Sequence, residues 1–297
     1  MVRRLLEATA SDFATWTGRE LAEAIRLSEG RTLAAEVLLS AAPPVDGVTH
    51  GELAAAMGAD IIALDGYDVS APRIPGWDAP AEAPLAAYSL LLGLPVGINL
   101  VVAAPQAPLG GKRATPAALE AAADQGADVL FVYARPHMGG TLALHVEAVQ
   151  QAVRHCGERV LLVAVPPFAL PPPRDAASSA ALRDYTAALL DAGAGAVAFP
   201  MPGTRQGWTL DAAAARIDQA QAAGALAWLF VTGSIESAPA EAMTALALQA
   251  KQIGADAVRL DEAGLAGLPA PENILAFSLA LRGARHTYRR MALGSRR

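Results

Sequence analysis

Apolar residues in this chain gather in short continuous runs, and polar residues punctuate them at regular intervals. Four runs open on a glycine triplet: Gly58-Ala59-Asp60 before IIALD, Gly126-Ala127-Asp128 before VLFVY, Gly193-Ala194-Gly195 before AVAFP, and Gly254-Ala255-Asp256 before AVRLD. The glycines stand 68, 67 and 61 residues apart. Each triplet follows an alanine-rich stretch of helical periodicity, so it marks where a helix ends on glycine and a buried strand begins. A second set of runs interleaves with the first: LAAEVLLS from Leu33, PVGINLVV from Pro95, VLLVAVPP from Val160 and LAWLFVT from Leu226, at spacings of 62, 65 and 66 residues. Continuous apolar runs of this kind suit parallel strands covered on both faces.

Helical stretches lie between and after the runs, at 50–57, about 80–92, 115–125, 141–156, 177–192, 209–223, 239–253 and 271–283. Thr115-Pro116 and Pro271-Glu272 supply start signals. Eight strands alternating with eight helices in 297 residues predict an α/β fold, a closed (β/α)8 TIM barrel forming one domain over 1–297. A doubly wound open sheet is the alternative, and it would not by itself produce such even spacing. Residues 1–30 read as an N-terminal helical segment, with a helix from roughly Thr17 to Ser28 closing the bottom of the barrel. Residues 284–297 read as a basic tail.

Composition narrows the function classes. A net charge of −6 argues against a general nucleic-acid binder, which carries a basic footprint. Arg285, Arg289, Arg290, Arg296 and Arg297 are expected on a solvated helix and tail, with a contact to a partner subunit of a homo-oligomer as the sharper alternative. The single cysteine, Cys156, excludes an intrachain disulfide framework, suits a reducing cytoplasm and is expected to pack. Residues 83–111 hold no charge over 29 positions, but Gly93, Pro95, Pro105 and Pro108 break the segment, so a barrel interior explains it better than a membrane span. Arg3 and Arg4 lead into Glu7 and a polar stretch, so no signal peptide is expected, and the expected location is cytoplasmic.

In a barrel of this kind the active site stands at the carboxyl ends of the strands, while the amino ends carry stability. Asp60, Asp128 and Asp256 lie at amino ends and read as capping or loop-fixing residues. At the carboxyl ends, Glu36, Asp65, Asp68, Asp261 and Glu262 come from strands one, two and eight, which are neighbours in a closed barrel. With Asn99 on strand three, such carboxylates hold Mg²⁺, with Asp68, Glu36 and Asp261 as ligands, or split their pKa values into a general acid and a general base. The competing reading is that side chains alternate along each strand, so about half point into the helix layer or pair with arginines. A second constellation, Gly233-Ser234 and Gly264 to Gly267, sits where many barrels hold a phosphate on backbone N–H groups.

Strand four adds Tyr133, Arg135 and His137, in which arginine suits a bidentate anion contact and histidine suits proton transfer. His50, at the start of the first barrel helix, and Thr204, after strand six, complete the binding candidates. Zinc is disfavoured because no two histidines stand at ligand spacing and Cys156 is on a helix.

Pro271-Glu272-Asn273-Ile274, Leu281-Arg282-Gly283 and the run Arg285 to Met291 resemble the close of an uncharacterised bacterial (β/α)8-barrel family. Its members are often labelled haloacid-dehalogenase-like hydrolases or phosphoenolpyruvate-mutase-like proteins. Ala10-Ser11-Asp12-Phe13, Ser28 to Thr32, Gly47-Val48-Thr49 and Glu52 to Ala56 resemble its opening, so the similarity spans the chain. It implies the barrel fold and carries no assigned activity. Where those relatives have Thr-Gly-Asn-Pro-Gly-Thr-Gly after strand four, this chain has Tyr133 to Gly140; where they have Met-His after strand five, it has Pro166-Pro167. Both departures fall on the catalytic face and imply a different substrate or a lost chemistry.

The expected function is a lyase or isomerase acting on a small phosphorylated or carboxylated metabolite. Ser234 and the glycine loop would bind the anion, Arg135 would clamp a second charge, and Glu36, Asp68 or Glu262 with His137 would move protons. A hydrolase of a phosphate or glycosidic bond is the alternative within enzymes. A non-catalytic barrel serving in binding or assembly is the alternative outside them.

Overall fold

The computed structural model describes residues 2–168, 170, 172–262 and 266–293. Two leading helices, α1 (Ala10–Phe13) and α2 (Gly18–Arg26), precede β1 (Thr32–Leu38), α3 (His50–Ala56), β2 (Ile61–Asp65), α4 (Pro84–Leu92), β3 (Val96–Val102) and α5 (Pro116–Asp124). The chain continues through β4 (Val129–Ala134), α6 (Leu142–Cys156), β5 (Leu161–Val165), α7 (Ala176–Asp191) and β6 (Ala196–Pro200). It closes with α8 (Leu210–Ala222), β7 (Leu226–Val231), α9 (Ala240–Gln252), β8 (Ala257–Leu260) and α10 (Pro271–Ala292). The strands form a closed barrel in sequence order, β8 pairing in parallel with β1, so the chain is a (β/α)8 TIM barrel. Threonines start many of the helices: Thr17, Thr49, Thr115, Thr141 and Thr209 each accept a hydrogen bond from the third helical N–H.

The repeated triplets have a physical job at the bottom of the barrel. Asp60 N–H donates to Leu33 O at 2.7 Å, while its Oδ2 accepts from Leu33 N–H at 2.9 Å. Asp128 does the same with Val96, at 2.8 and 2.7 Å, and Asp256 with Ala227, at 2.9 and 2.8 Å. Each aspartate therefore clamps the first residues of the preceding strand and sets the register of the pair. Gly195 replaces aspartate in the remaining triplet, and the β5–β6 seam above it is registered only through Val163↔Ala196 and Ala164↔Val197.

The basic C-terminal segment departs from the expected solvated tail. Gly283 sits at φ 78°, a left-handed conformation that suits glycine, and bends α10 so that its last turns fold back under the barrel. Arg282 and Arg290, 6% and 4% exposed, both pair with the Asp60 carboxylate, Arg290 Nε at 2.8 Å. Two cations around one buried carboxylate satisfy charges that burial alone would penalise. Arg285 stays exposed, and Arg296 and Arg297 lie outside the described residues.

Helix α2 packs its Leu21, Ala24 and Ile25 face against the barrel, and Arg26 donates to Gly224 O just before β7. Cys156 is buried and donates to Leu119 O, and burial pushes its thiol up to about 11, as befits a packing residue. The uncharged segment forms α4, β3 and the loop beyond; among the described residues no helix is long and apolar enough to cross a membrane.

Candidate functional site

Side chains alternate along a strand, so register decides which residues share the barrel interior at one level. Parallel pairing places Asn99 beside Phe131, Tyr133 beside Val165, Pro200 beside Phe230, and Phe230 beside Arg259. The upper interior is consequently two-sided. Strands β8, β1, β2, β3 and β4 contribute Arg259, Asp261 just past β8, Glu36, Asp65, Asn99 and Tyr133, whereas β5, β6 and β7 contribute valine, alanine, proline and aromatic rings.

Arg259 is the hub of the polar half and is fully buried. Its guanidinium lies 2.7 Å from Glu36 Oε2 and 2.8 Å from Asp261 Oδ1, and its Nε donates to Asp261 Oδ1 at 2.9 Å. It also donates to Asn99 Oδ1 at 3.2 Å and to the Tyr133 hydroxyl. Beneath it Phe230 presents its face, 3.8 Å from the guanidinium carbon, an arrangement that supplies cation–π attraction in a desolvated setting. Asn99 completes the network: its Nδ2 donates to Glu36 Oε2 and to Asp65 Oδ1, 2.7 Å each. One amide thus bridges two carboxylates of different exposure, Glu36 being buried and Asp65 half-buried at the mouth.

Two carboxylates share one guanidinium here, with Asp65 joined to them through Asn99, and the electrostatics follow. Burial pushes Glu36 up to about 8 from an ordinary 4.5; Arg259 opposes this, while Asp261 and Asp65 add to it. Asp261 is raised too, chiefly by burial, against the pull of Arg259. Burial works against the Arg259 charge, but Asp261 and Glu36 overcome it and hold the guanidinium ionised. Burial likewise raises Tyr133 far above the ordinary phenol range, so it serves as a neutral hydroxyl. Burial thus favours the protonated form of Glu36, and the nearby Arg259 guanidinium opposes it.

The other candidates are placed differently. Asp68 lies in the loop after β2, where its Oδ1 accepts from Ser70 N–H at 2.9 Å and Gly111 N–H at 3.1 Å; burial opposes its charge, but these hydrogen bonds win and hold it below the usual range. His50 is buried, its Nε2 2.9 Å from Ala266 O, tying α3 to the loop after β8. His137 is exposed on the turn Pro136–Met138, and Arg135 is exposed with its guanidinium 5.1 Å from the Tyr133 ring, on the rim of the cluster. Thr204 donates to Met201 O at 2.6 Å within its own loop, and the exposed Gly233 lies against Thr204 O. Ser234 N–H, offered for an anion, donates instead to Glu236 Oε1 at 3.1 Å. Gly264 lies outside the described residues, and Glu262 is half-buried beside the cluster.

Two residues of this face went unselected on sequence. Arg259 hides in the apolar run AVRLD, and its signal is an arginine two positions before an aspartate on a strand otherwise fit only for burial. Glu236 is 4% exposed, and its Oε2 is buried with no hydrogen-bond partner among the described residues. Burial, with Asp261 and Glu262 nearby, raises its pKa.

Magnesium does not fit this donor set. Glu36 Oε2 is shared by Asn99 and Arg259, and Asp261 Oδ1 is held by Arg259 through two contacts, so the guanidinium stands where a divalent cation would. Asp68, the third proposed ligand, turns to its own loop. Among the described residues, no group of three or more His, Cys, Asp or Glu is arranged to hold a metal ion.

Comparison with known proteins adds the fold's relatives. A lyase/mutase candidate from Burkholderia cenocepacia J2315 superposes with TM-score 0.52 at 23% identity, over 86% of this chain and 84% of that one. A 2,3-dimethylmalate lyase of the PEP mutase/isocitrate lyase superfamily gives 0.55 at 14%, over 82% and 80%. The carboxyl transferase domain of Rhizobium etli pyruvate carboxylase gives 0.56 at 18%, over 96% of this chain and 52% of that one. At these identities the likeness is one of fold. None of these supports the haloacid-dehalogenase-like label, whereas the phosphoenolpyruvate-mutase-like one has a structural counterpart in the dimethylmalate lyase. No curated protein matches the sequence. A family model described as a domain of unknown function (DUF7916) matches residues 6–297.

Proposed function

The chain belongs to the DUF7916 family, and we propose that it is a lyase or isomerase that moves a proton on a small carboxylated or phosphorylated metabolite at the carboxyl end of the barrel. The observation that carries this is the Asn99 bridge, which joins a buried carboxyl whose burial favours its protonated form, Glu36, to a half-buried carboxyl at the mouth, Asp65. Two carboxyls with unlike environments divide the roles of acid and base. Asp65 takes a proton from carbon beside the substrate's acid group. Glu36 returns one, and Asn99 holds the two in register.

Arg259 opposes the negative charge that builds up as the proton leaves, without itself reaching solvent. Arg135, exposed on the rim over Tyr133, meets the incoming anion. His137, on the neighbouring turn, is close enough in sequence to assist it. The fold likeness to a lyase of the PEP mutase/isocitrate lyase superfamily supports this class of substrate.

The test is hydrogen exchange in deuterated water, followed by proton NMR, with a panel of small keto, hydroxy and phosphorylated carboxylic acids. The expected result is deuterium at the carbon beside the acid group in at least one compound, with exchange slowed about 10²-fold or more in Asp65→Asn and in Glu36→Gln. A panel with no exchange, or exchange undiminished in both variants, overturns the assignment.

A further inference from the structure

Above the β5–β6 seam, the loop after β5, the loop after β6 and the first turn of α7 enclose a cavity of about 510 Å³, within the range of about 300–1,000 Å³ occupied by small-molecule sites. Pro166, Phe168, Leu182, Phe199 and Trp208 supply the apolar part of its lining, and Ser178 and Gln206 add polar groups. Two cations stand on it, Arg174 exposed and Arg205 half-buried, and neither makes a side-chain hydrogen bond or ion pair among the described residues. Arg174 lies across Gly207, where an added Cβ would come 2.2 Å from Nε, so the chain has a glycine at the place that lets this guanidinium reach over the rim.

Asp175 also faces the cavity, but its Oδ1 accepts from Ser178 N–H and Ser178 Oγ, 2.7 Å each, as the cap of α7. With one carboxylate turned inward and two guanidinium groups unpaired, the rim carries a net positive charge. Behind the wall, Trp208 Nε1 is buried and has no acceptor among the described residues.

We infer that this cavity is a binding site for a small amphiphilic anion, whose apolar body fills the pocket and whose acid group pairs with Arg174 and Arg205. Apolar walls alone would accept a neutral body, and exposed arginines alone would accept any anion; the two together select a molecule with both parts. The site is distinct from the acid–base cluster. Phe168 from the cavity wall meets Phe230, their centroids 6.0 Å apart, and Phe230 in turn lies against Arg259, so two rings separate the two places. Binding here does not depend on the proton-transfer proposal.

Calorimetric titration of the full chain with 4-phenylbutyrate, with its neutral amide 4-phenylbutyramide and with inorganic phosphate tests the inference. The acid is expected to bind about tenfold or more tightly than the amide, since a charge-assisted contact is lost, and phosphate is expected not to displace it. The double variant Arg174→Gln/Arg205→Gln should lose the preference for acid over amide.

Failure of 4-phenylbutyrate to bind, equal binding of acid and amide, displacement by phosphate at comparable concentration, or an unchanged preference in the double variant each overturns it. The acid–amide comparison needs only the unaltered protein, so it stands even where the double variant fails to fold. A result confined to this titration leaves the exchange experiment on Asp65 and Glu36 to be judged separately.

Discussion

Replacing Arg259 with glutamine removes the guanidinium that faces Glu36 and Asp261 at 2.7 and 2.8 Å in a fully buried position. Removing one partner of a buried ion pair costs about 3–5 kcal/mol, because the other charge is left without compensation. The two carboxylates have an escape: they take up protons. That escape makes the cost depend on pH, and the sign is fixed by which state binds more protons.

In the unaltered protein Glu36 is raised from an ordinary 4.5 to about 8, so the folded state is the more protonated one across that window and stability falls as pH rises through it. In Arg259→Gln the attraction that lowers both Glu36 and Asp261 is gone, so both carboxyls keep their protons to higher pH and the window extends upward. Each such proton steepens the fall by about 1.36 kcal/mol per pH unit. The penalty of the variant is therefore expected to grow from about 1 kcal/mol near pH 5 to about 3–5 kcal/mol near pH 8.5. Urea unfolding followed by circular dichroism at a series of pH values measures it. A penalty that stays flat with pH, or one below about 1 kcal/mol on the alkaline side, refutes the pairing of Arg259 with two buried carboxylates.

At the opposite end of the barrel, Asp60→Asn takes the charge from between the buried Arg282 and Arg290 and is expected to cost about 3–5 kcal/mol in urea unfolding, with proton exchange per folded molecule unchanged. His145 is held between Tyr185 and the Val132 carbonyl, 3.0 Å from each, and burial depresses it to about 4 from an ordinary 6.5. Its unfolded form binds the proton first, so stability present above the ordinary value is lost as pH falls toward 4; His145→Gln should flatten the acid limb of the stability profile by up to about 3 kcal/mol. Gly18→Ala places a Cβ 1.9 Å from the Val160 carbonyl carbon, and overpacking of α2 on β5 is expected to cost about 1–3 kcal/mol and to lower the melting temperature.

Legibility differed between the scaffold and the site for a physical reason. Strand and helix order depends on local periodicity and on glycine at helix ends, so the triplets before β2, β4, β6 and β8 were readable one by one. At the site, Glu36 and Asn99 stood out as polar residues within apolar runs, and Asp65 and Asp261 as polar residues at or just beyond the ends of such runs. Their neighbours did not. Asp65 and Asp68 are three residues apart, and only the end of β2 separates the one that reaches Asn99 from the one that closes a turn with Ser70 and Gly111. Arg259 reads as an interruption of a strand until Asn99, 160 positions away, is brought against it.

What the sequence determined by itself is the barrel, its orientation and the end at which polar side chains collect, because those follow from patterns only a few residues wide. The tertiary structure decided which charges meet. Burial and pairing are properties of the closed barrel: the same arginine is a solvated tail residue or the partner of Asp60, 230 positions earlier, depending on one bend at Gly283. Closure also split the mouth into a charged half from β8 to β4 and an apolar half from β5 to β7, since strand register selects one of every two side chains to face inward.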